Sequence, residues 1–134
     1  MPALAVDTHA AIWYLNNGAR LSATARAAMR AATASNQPLF LSAISIVEVC
    51  YLVDKGKLPF TALQRLTQSV APGQYAALEL VPLSLDIAQA VQQIPRAAVP
   101  DMPDRIIAAT ALHLGVPLVS RDRKIQASPI LTIW

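Results

Sequence analysis

The stretch Asp104-Arg105-Ile106-Ile107-Ala108-Ala109-Thr110-Ala111-Leu112-His113-Leu114-Gly115-Val116-Pro117-Leu118-Val119-Ser120-Arg121-Asp122 decides the fold. Its first part predicts a helix from Asp104 to Leu114, closed by Gly115, because glycine enters the left-handed C-terminal conformation without a side-chain clash. Residues 117–120 then form a short apolar run bounded by Gly/Pro on one side and charges on the other, which predicts a buried strand. Asp122 follows that strand. One unit therefore reads helix, turn, strand, carboxylate.

The same alternation extends outward in both directions. Residues 3–6 read as a strand, and 8–16 as a helix ending near Asn16-Asn17-Gly18. Ser22 to Ala34 is an alanine-rich helix, and Leu39-Phe40-Leu41 a second strand. Residues 43–54 and Thr61 to Val70 read as helices, Leu78 to Leu83 as a third strand. Leu85 to Ile94 is a helix stopped by Pro95, and Pro95, Pro100 and Pro103 mark 95–103 as a rigid loop. Residues 130–133 are a candidate fifth strand. Short apolar strands alternating with helices imply βαβ units. The expected fold is a single α/β domain over 1–134, with a central, mainly parallel sheet of four or five strands and helices on both faces. The chain carries no internal repeat or linker.

Composition narrows the function classes. The chain has 134 residues, 54% of them hydrophobic, but 25 of these are alanine. The mean hydropathy of +0.41 is apolar for so small a body. Excess apolar surface predicts an oligomer or a tight protein partner. The single cysteine, Cys50, precludes an internal disulfide and fits a reducing, cytoplasmic setting. Asp7 and His9 interrupt the apolar start, which argues against a signal peptide. No run approaches the roughly 20 apolar residues of a membrane span. The net charge is only +3, yet Arg121, Arg123 and Lys124 flank Asp122, and Arg105 follows Asp104. Basic residues beside acidic ones suit an anionic polymer approaching a metal. No aromatic-rich stacking surface is visible in the sequence, so binding by base stacking is not indicated.

Four of the eight acidic residues touch apolar segments. Asp7 ends strand one, Glu48 lies in the first turns of the helix after strand two, Asp104 opens the helix feeding strand four, and Asp122 follows strand four. In a parallel sheet, sites form beyond the carboxyl ends of the strands, so all four reach one edge. Each has a plainer structural reading. Asp7 can be a helix N-cap. Ser45-x-x-Glu48 fits a capping box. Asp104 suits the positive end of a helix dipole, and Asp122 suits a solvated turn. Only their joint placement points to chemistry: converging carboxylates repel, and a hard divalent cation is the usual remedy. Asp101, three residues before Asp104, fits a cap or an outer supporting role. The hydroxyls of Thr8 and Ser120 sit beside site carboxylates and can orient them. His9 and His113 read as ordinary helix residues.

Other sites are absent. The glycines Gly18, Gly56, Gly73 and Gly115 form neither a dinucleotide fingerprint nor a P-loop. A haloacid dehalogenase phosphatase needs a second Asp where His9 stands, and a receiver domain needs paired acids after the first strand.

The segments Ala5-Val6-Asp7-Thr8-His9, Leu41-Ser42-Ala43-Ile44-Ser45-Ile46-Val47-Glu48, Asp101-Met102-Pro103-Asp104-Arg105-Ile106-Ile107-Ala108-Ala109-Thr110-Ala111 and Pro117-Leu118-Val119-Ser120-Arg121-Asp122 together resemble the PIN domain, and most of all the VapC-type toxins of bacterial toxin–antitoxin pairs. The likeness runs from about residue 4 to 133, with Met102-Pro103 where the family often has an aromatic. The resemblance implies an endoribonuclease dependent on Mg²⁺ or Mn²⁺, with Asp7, Glu48, Asp104 and Asp122 as the acidic catalytic and metal-binding set. It implies phosphodiester hydrolysis by a metal-activated water, with tRNA, rRNA or mRNA as substrate. Thr8, Ser120 and Asp101 are then supporting residues, and Arg105, Arg121, Arg123 and Lys124 candidates for guiding the RNA backbone. It further implies a cognate antitoxin, within a homodimer or toxin–antitoxin hetero-oligomer. The alternative is a catalytically inactive binding module on the same fold.

Overall fold

The computed structural model describes residues 3–71 and 77–134. Five short strands, β1 (Leu4–Val6), β2 (Leu39–Ser42), β3 (Glu79–Val81), β4 (Leu118–Val119) and β5 (Thr132–Ile133), form one sheet. Every pairing is parallel, in the order β3-β2-β1-β4-β5. The helices between them are α1 (Thr8–Leu15), α2 (Ala23–Ala34), α3 (Ala43–Asp54), α4 (Phe60–Ser69), α5 (Leu85–Ala90), α6 (Met102–Leu114) and α7 (Arg123–Gln126), with a 3₁₀ turn at Val91–Gln93.

The strand order follows from two directions of travel. The chain moves from β1 outward through β2 to β3, then returns across β1 and continues through β4 to β5. Right-handed crossovers put the helices of these two runs on opposite faces. Side-chain alternation serves both layers. Leu4, Val6, Leu39, Leu41 and Val119 pack on one face, with Ile12, Met29, Val49 and Leu66 from α1 to α4. Ala5 and Leu118 face the other way, with Ile87, Ile107, Ala108, Ala111 and Ile125 from α5 to α7. The reversal at β1 opens a crevice at the carboxyl ends of β1 and β4, where this class of sheet binds ligands.

Several boundaries differ from the sequence reading. β3 ends at Val81 rather than Leu83, because Pro82 has no amide to give the ladder. The helix expected over 85–94 is α-helical only to Ala90 and tightens into the 3₁₀ turn, as Ile94 before Pro95 is extended (φ −95°, ψ 110°). α4 runs Phe60–Ser69, one residue earlier than expected. α6 begins at Met102, two residues before Asp104, since Pro103 fits the first turn where no amide donor is needed. Asp101 caps it, accepting from the Asp104 amide at 3.2 Å.

Gly115 ends α6 at φ +68°, with the Val116 amide donating to the Ala111 carbonyl at 3.1 Å. A Cβ placed there meets no atom within 4 Å, so backbone conformation alone demands the glycine. Gly115→Ala should therefore keep the fold and lower the unfolding free energy by about 1–2 kcal/mol in urea titration. An unchanged midpoint would contradict the assignment.

Candidate active site

Each acidic side chain is placed by a local feature of the chain. The Asp7 amide donates to the Val119 carbonyl at 3.1 Å, which fixes the end of β1 against β4. One carboxylate oxygen of Asp7 then caps α1, accepting from the Ala10 amide at 2.8 Å. Asp122 caps α7 in the same way, with one oxygen accepting from Lys124 (2.8 Å) and Ile125 (3.3 Å) amides. Asp101 and Asp104 occupy the cap and first turn of α6. Asp7 and Asp122 each use an oxygen for a helix end, so capping and a site role coexist.

Glu48 departs from the capping-box reading. The cap of α3 is Ser42, whose hydroxyl accepts from the Ile44 amide at 3.3 Å, so Ser45 already lies inside the helix. Glu48 instead accepts the Thr8 hydroxyl proton at 2.6 Å across the two helices. Ser45 Oγ lies 2.9 Å from Thr8 Oγ1. Thr8 has one proton and gives it to Glu48, so Ser45 acts as donor in that second contact. Both hydroxyl residues are buried, which makes this a fixed relay that aims Glu48.

Asp7, Glu48, Asp101, Asp104 and Asp122 line one cleft of about 560 Å³. Arg121, Arg123 and Lys124 line the same cleft, next to Asp122 in the chain. Arg105 is not among the lining residues. Its guanidinium donates to the Val91 and Ile94 carbonyls at 3.0 and 2.9 Å and ties α6 to the preceding 3₁₀ turn. The guanidinium expected to guide a polyanion is thus engaged with two backbone carbonyls next to its own helix, outside the cleft lining.

The electrostatics are those of a site short of positive charge. Burial pushes the Asp104 carboxyl up to about 7, and Asp101, Asp122, Glu48 and Asp7 each push it further in the same direction. Burial also raises Asp7, against the opposing influence of hydrogen bonds from Ser120 and the Ala10 amide and of nearby His9. Glu48 is raised by burial too, opposed by the Thr8 hydroxyl and His9. Ser120 is fully buried; its hydroxyl accepts from the Asp122 amide at 3.1 Å and supports Asp7, so it joins the ends of β1 and β4.

Among the described residues, no three His, Cys, Asp or Glu side chains close on a single point as a ready chelate. The donor set is nevertheless all oxygen and mutually repelling, the chemistry of a hard cation held through few carboxylates and several waters.

The sequence reading missed an aromatic wall on this cleft. His9 and Trp13 line it, and Trp134 packs beside Trp13. The four-residue spacing of His9 and Trp13 after Asp7 was the available signal, since it puts both on one face of α1. Trp134 comes from the far end of the chain, and only the tertiary fold joins it to them.

The chain as a whole is similar to known proteins. Ribonuclease VapC22 of Mycobacterium tuberculosis is 27% identical over the full length of both chains. The structure also superposes on the VapBC2 complex of Rickettsia felis, solved on a promoter DNA fragment, with a TM-score of 0.70, 18% identity and coverage of 97% and 96% of the two chains. A toxin–antitoxin complex from Klebsiella pneumoniae gives a TM-score of 0.61 at 26% identity, covering 92% of this chain and 90% of that one. The profile of the PIN domain matches residues 4–129, and with four acidic positions gathered at the reversal of its parallel sheet, the chain belongs to the PIN domain family.

Proposed function

We propose that this chain is an endoribonuclease that needs a divalent cation, Mg²⁺ or Mn²⁺, and is the toxin of a toxin–antitoxin pair. The observation that carries this reading is the gathering of Asp7, Glu48, Asp101, Asp104 and Asp122 in one cleft, where each of the other four acids opposes the ionisation of Asp104. A cleft of that kind gains most from a hard cation. VapC22 is named a ribonuclease, and the Rickettsia and Klebsiella proteins were solved as toxin–antitoxin complexes, which supports an antitoxin partner here. Among the described residues, no helix is long and apolar enough to cross a membrane, in keeping with the cytoplasmic setting we propose.

Asp7, Asp104, Asp122 and Glu48 would hold the cation, directly or through water. Bound there, it supplies Lewis-acid stabilisation of phosphate charge and makes an attacking water more acidic. The chain does the rest. Thr8 holds Glu48 at a fixed angle, and the Ser120 hydroxyl favours the ionised form of Asp7 against the larger effect of burial. Arg121, Arg123 and Lys124, in the same lining, offset phosphate charge. The absence of a preformed chelate among the described residues favours one second reading, a binding module that does not cleave. Cleavage assays separate the two.

Purified chain, freed of any partner, should cut tRNA or rRNA with Mg²⁺ or Mn²⁺ and not with EDTA. Asp104→Asn should abolish cutting while the variant still melts cooperatively; undiminished cutting would overturn the assignment. Thr8→Val removes the proton that aims Glu48 and should cost about 10–100-fold in cation affinity or turnover, whereas an unaltered rate would make that hydrogen bond incidental.

The raised carboxyls also set a pH dependence. Unfolded, Asp104 loses its proton near 3.8; folded, near 7. Between those values the folded chain holds more protons, so stability falls as pH rises and levels off above about 7. Asp7 and Glu48 act in the same sense. In EDTA, the melting temperature should fall across this window, less steeply for Asp104→Asn, and Mg²⁺ should recover the loss. Identical slopes for both chains would count against it.

A further inference from the structure

A polarisable aromatic wall borders the acidic cleft. The His9 and Trp13 ring centroids are 5.6 Å apart and tilted by 47°. Trp134 lies 6.0 Å from Trp13 at 60°. The Arg121 guanidinium carbon sits over the Trp13 ring, 4.9 Å from its centroid. His9 and Arg121 are exposed, while Trp13 and Trp134 are half-buried and anchored. Trp13 is held from behind, because the Gly18 amide donates to its carbonyl at 2.8 Å and the chain turns against its Cβ.

Packing alone accounts for Trp13 and Trp134, which lie against the core. It does not account for an exposed arginine laid over the indole on the rim of the cleft that holds Asp7 and Asp104. A guanidinium held over an indole keeps its outer face open, and a second plane can stack on that face. A nucleobase is such a plane.

We propose that Arg121, Trp13 and His9 form a stacking subsite for one unpaired base of RNA, next to the phosphate that enters the acidic cleft. This rests on the ribonuclease reading and names its substrate class as single-stranded or looped RNA. In a continuous A-form duplex the base faces are covered by their neighbours, and the wall would have nothing to receive. Stacking of this kind tolerates many sequences, so the subsite selects an unstacked nucleotide rather than a particular base.

The only tryptophans of the chain are Trp13 and Trp134, so fluorescence excited selectively at tryptophan, away from the tyrosine band, reads this cluster alone. The experiment titrates the Asp104→Asn chain, which cannot cut, with short single-stranded oligoadenylate, the same oligomer carrying an abasic nucleotide at successive positions, and an RNA duplex. The single strand should quench the fluorescence and bind tighter than the duplex. One abasic position, and separately Arg121→Ala or His9→Ala, should weaken it by about 5–100-fold, the loss expected for one stacked base. Both substitutions are at exposed positions, so they keep the test valid if Trp13→Ala fails to fold. Equal affinity for intact and abasic strands, or for strand and duplex, overturns the subsite. If wild-type chain cuts RNA but these variants bind like the parent, the subsite fails and the ribonuclease reading stands. If folded wild-type chain neither cuts nor binds any of these RNAs, both fail.

Discussion

The structure turns on the repulsion of five carboxylates held together at the edge of a parallel sheet. They meet there because the chain reverses its direction of travel at β1, so that the ends of β1 and β4 and the starts of α3 and α6 share one crevice. Partial burial weakens the screening that water would give them. The consequence is concentrated on Asp104, where burial and all four neighbours favour the protonated acid.

The fold offsets part of this cost through helix ends. Asp7 and Asp101 cap α1 and α6, and Asp104 sits in the first turn of α6. Backbone amides at those ends donate to carboxylates, and the positive ends of the helix dipoles face the same region. Hydroxyls add to this: Thr8 supports Glu48 and Ser120 supports Asp7. These contacts aim the acids but leave net negative charge, which Arg121, Arg123 and Lys124 in the same lining and, on the proposed reading, a divalent cation would offset.

Much of this was legible in the chain. The run from Asp104 to Asp122 carries its own helix, stop, strand and acid, and local chemistry governs each of them. The parallel sheet and the gathering of the acids at one edge followed from the alternation of strands and helices, whereas the strand order and the pairing of β1 with β4 depend on contacts between distant segments. Local signals misled where tertiary contacts won. Ser45-x-x-Glu48 has the pattern of a capping box, yet Ser42 takes the cap because the strand ends there, and Glu48 turns to Thr8 forty residues away in sequence. Arg105 looked like a phosphate contact beside Asp104, but its guanidinium donates to the Val91 and Ile94 carbonyls. The wall of His9, Trp13, Arg121 and Trp134 could not be read as a whole, since its members come from both ends of the chain.

The central claim is that this cleft carries charge awaiting a hard cation, with one acid still protonated near neutral pH. Calorimetric titration of Mg²⁺ into the cation-free chain near pH 7, repeated in buffers of different ionisation heat, measures both binding and the protons it displaces. The account predicts saturable binding with net proton release, and loss of that release in Asp104→Asn. Absence of saturable binding, or binding that displaces no proton, would contradict it.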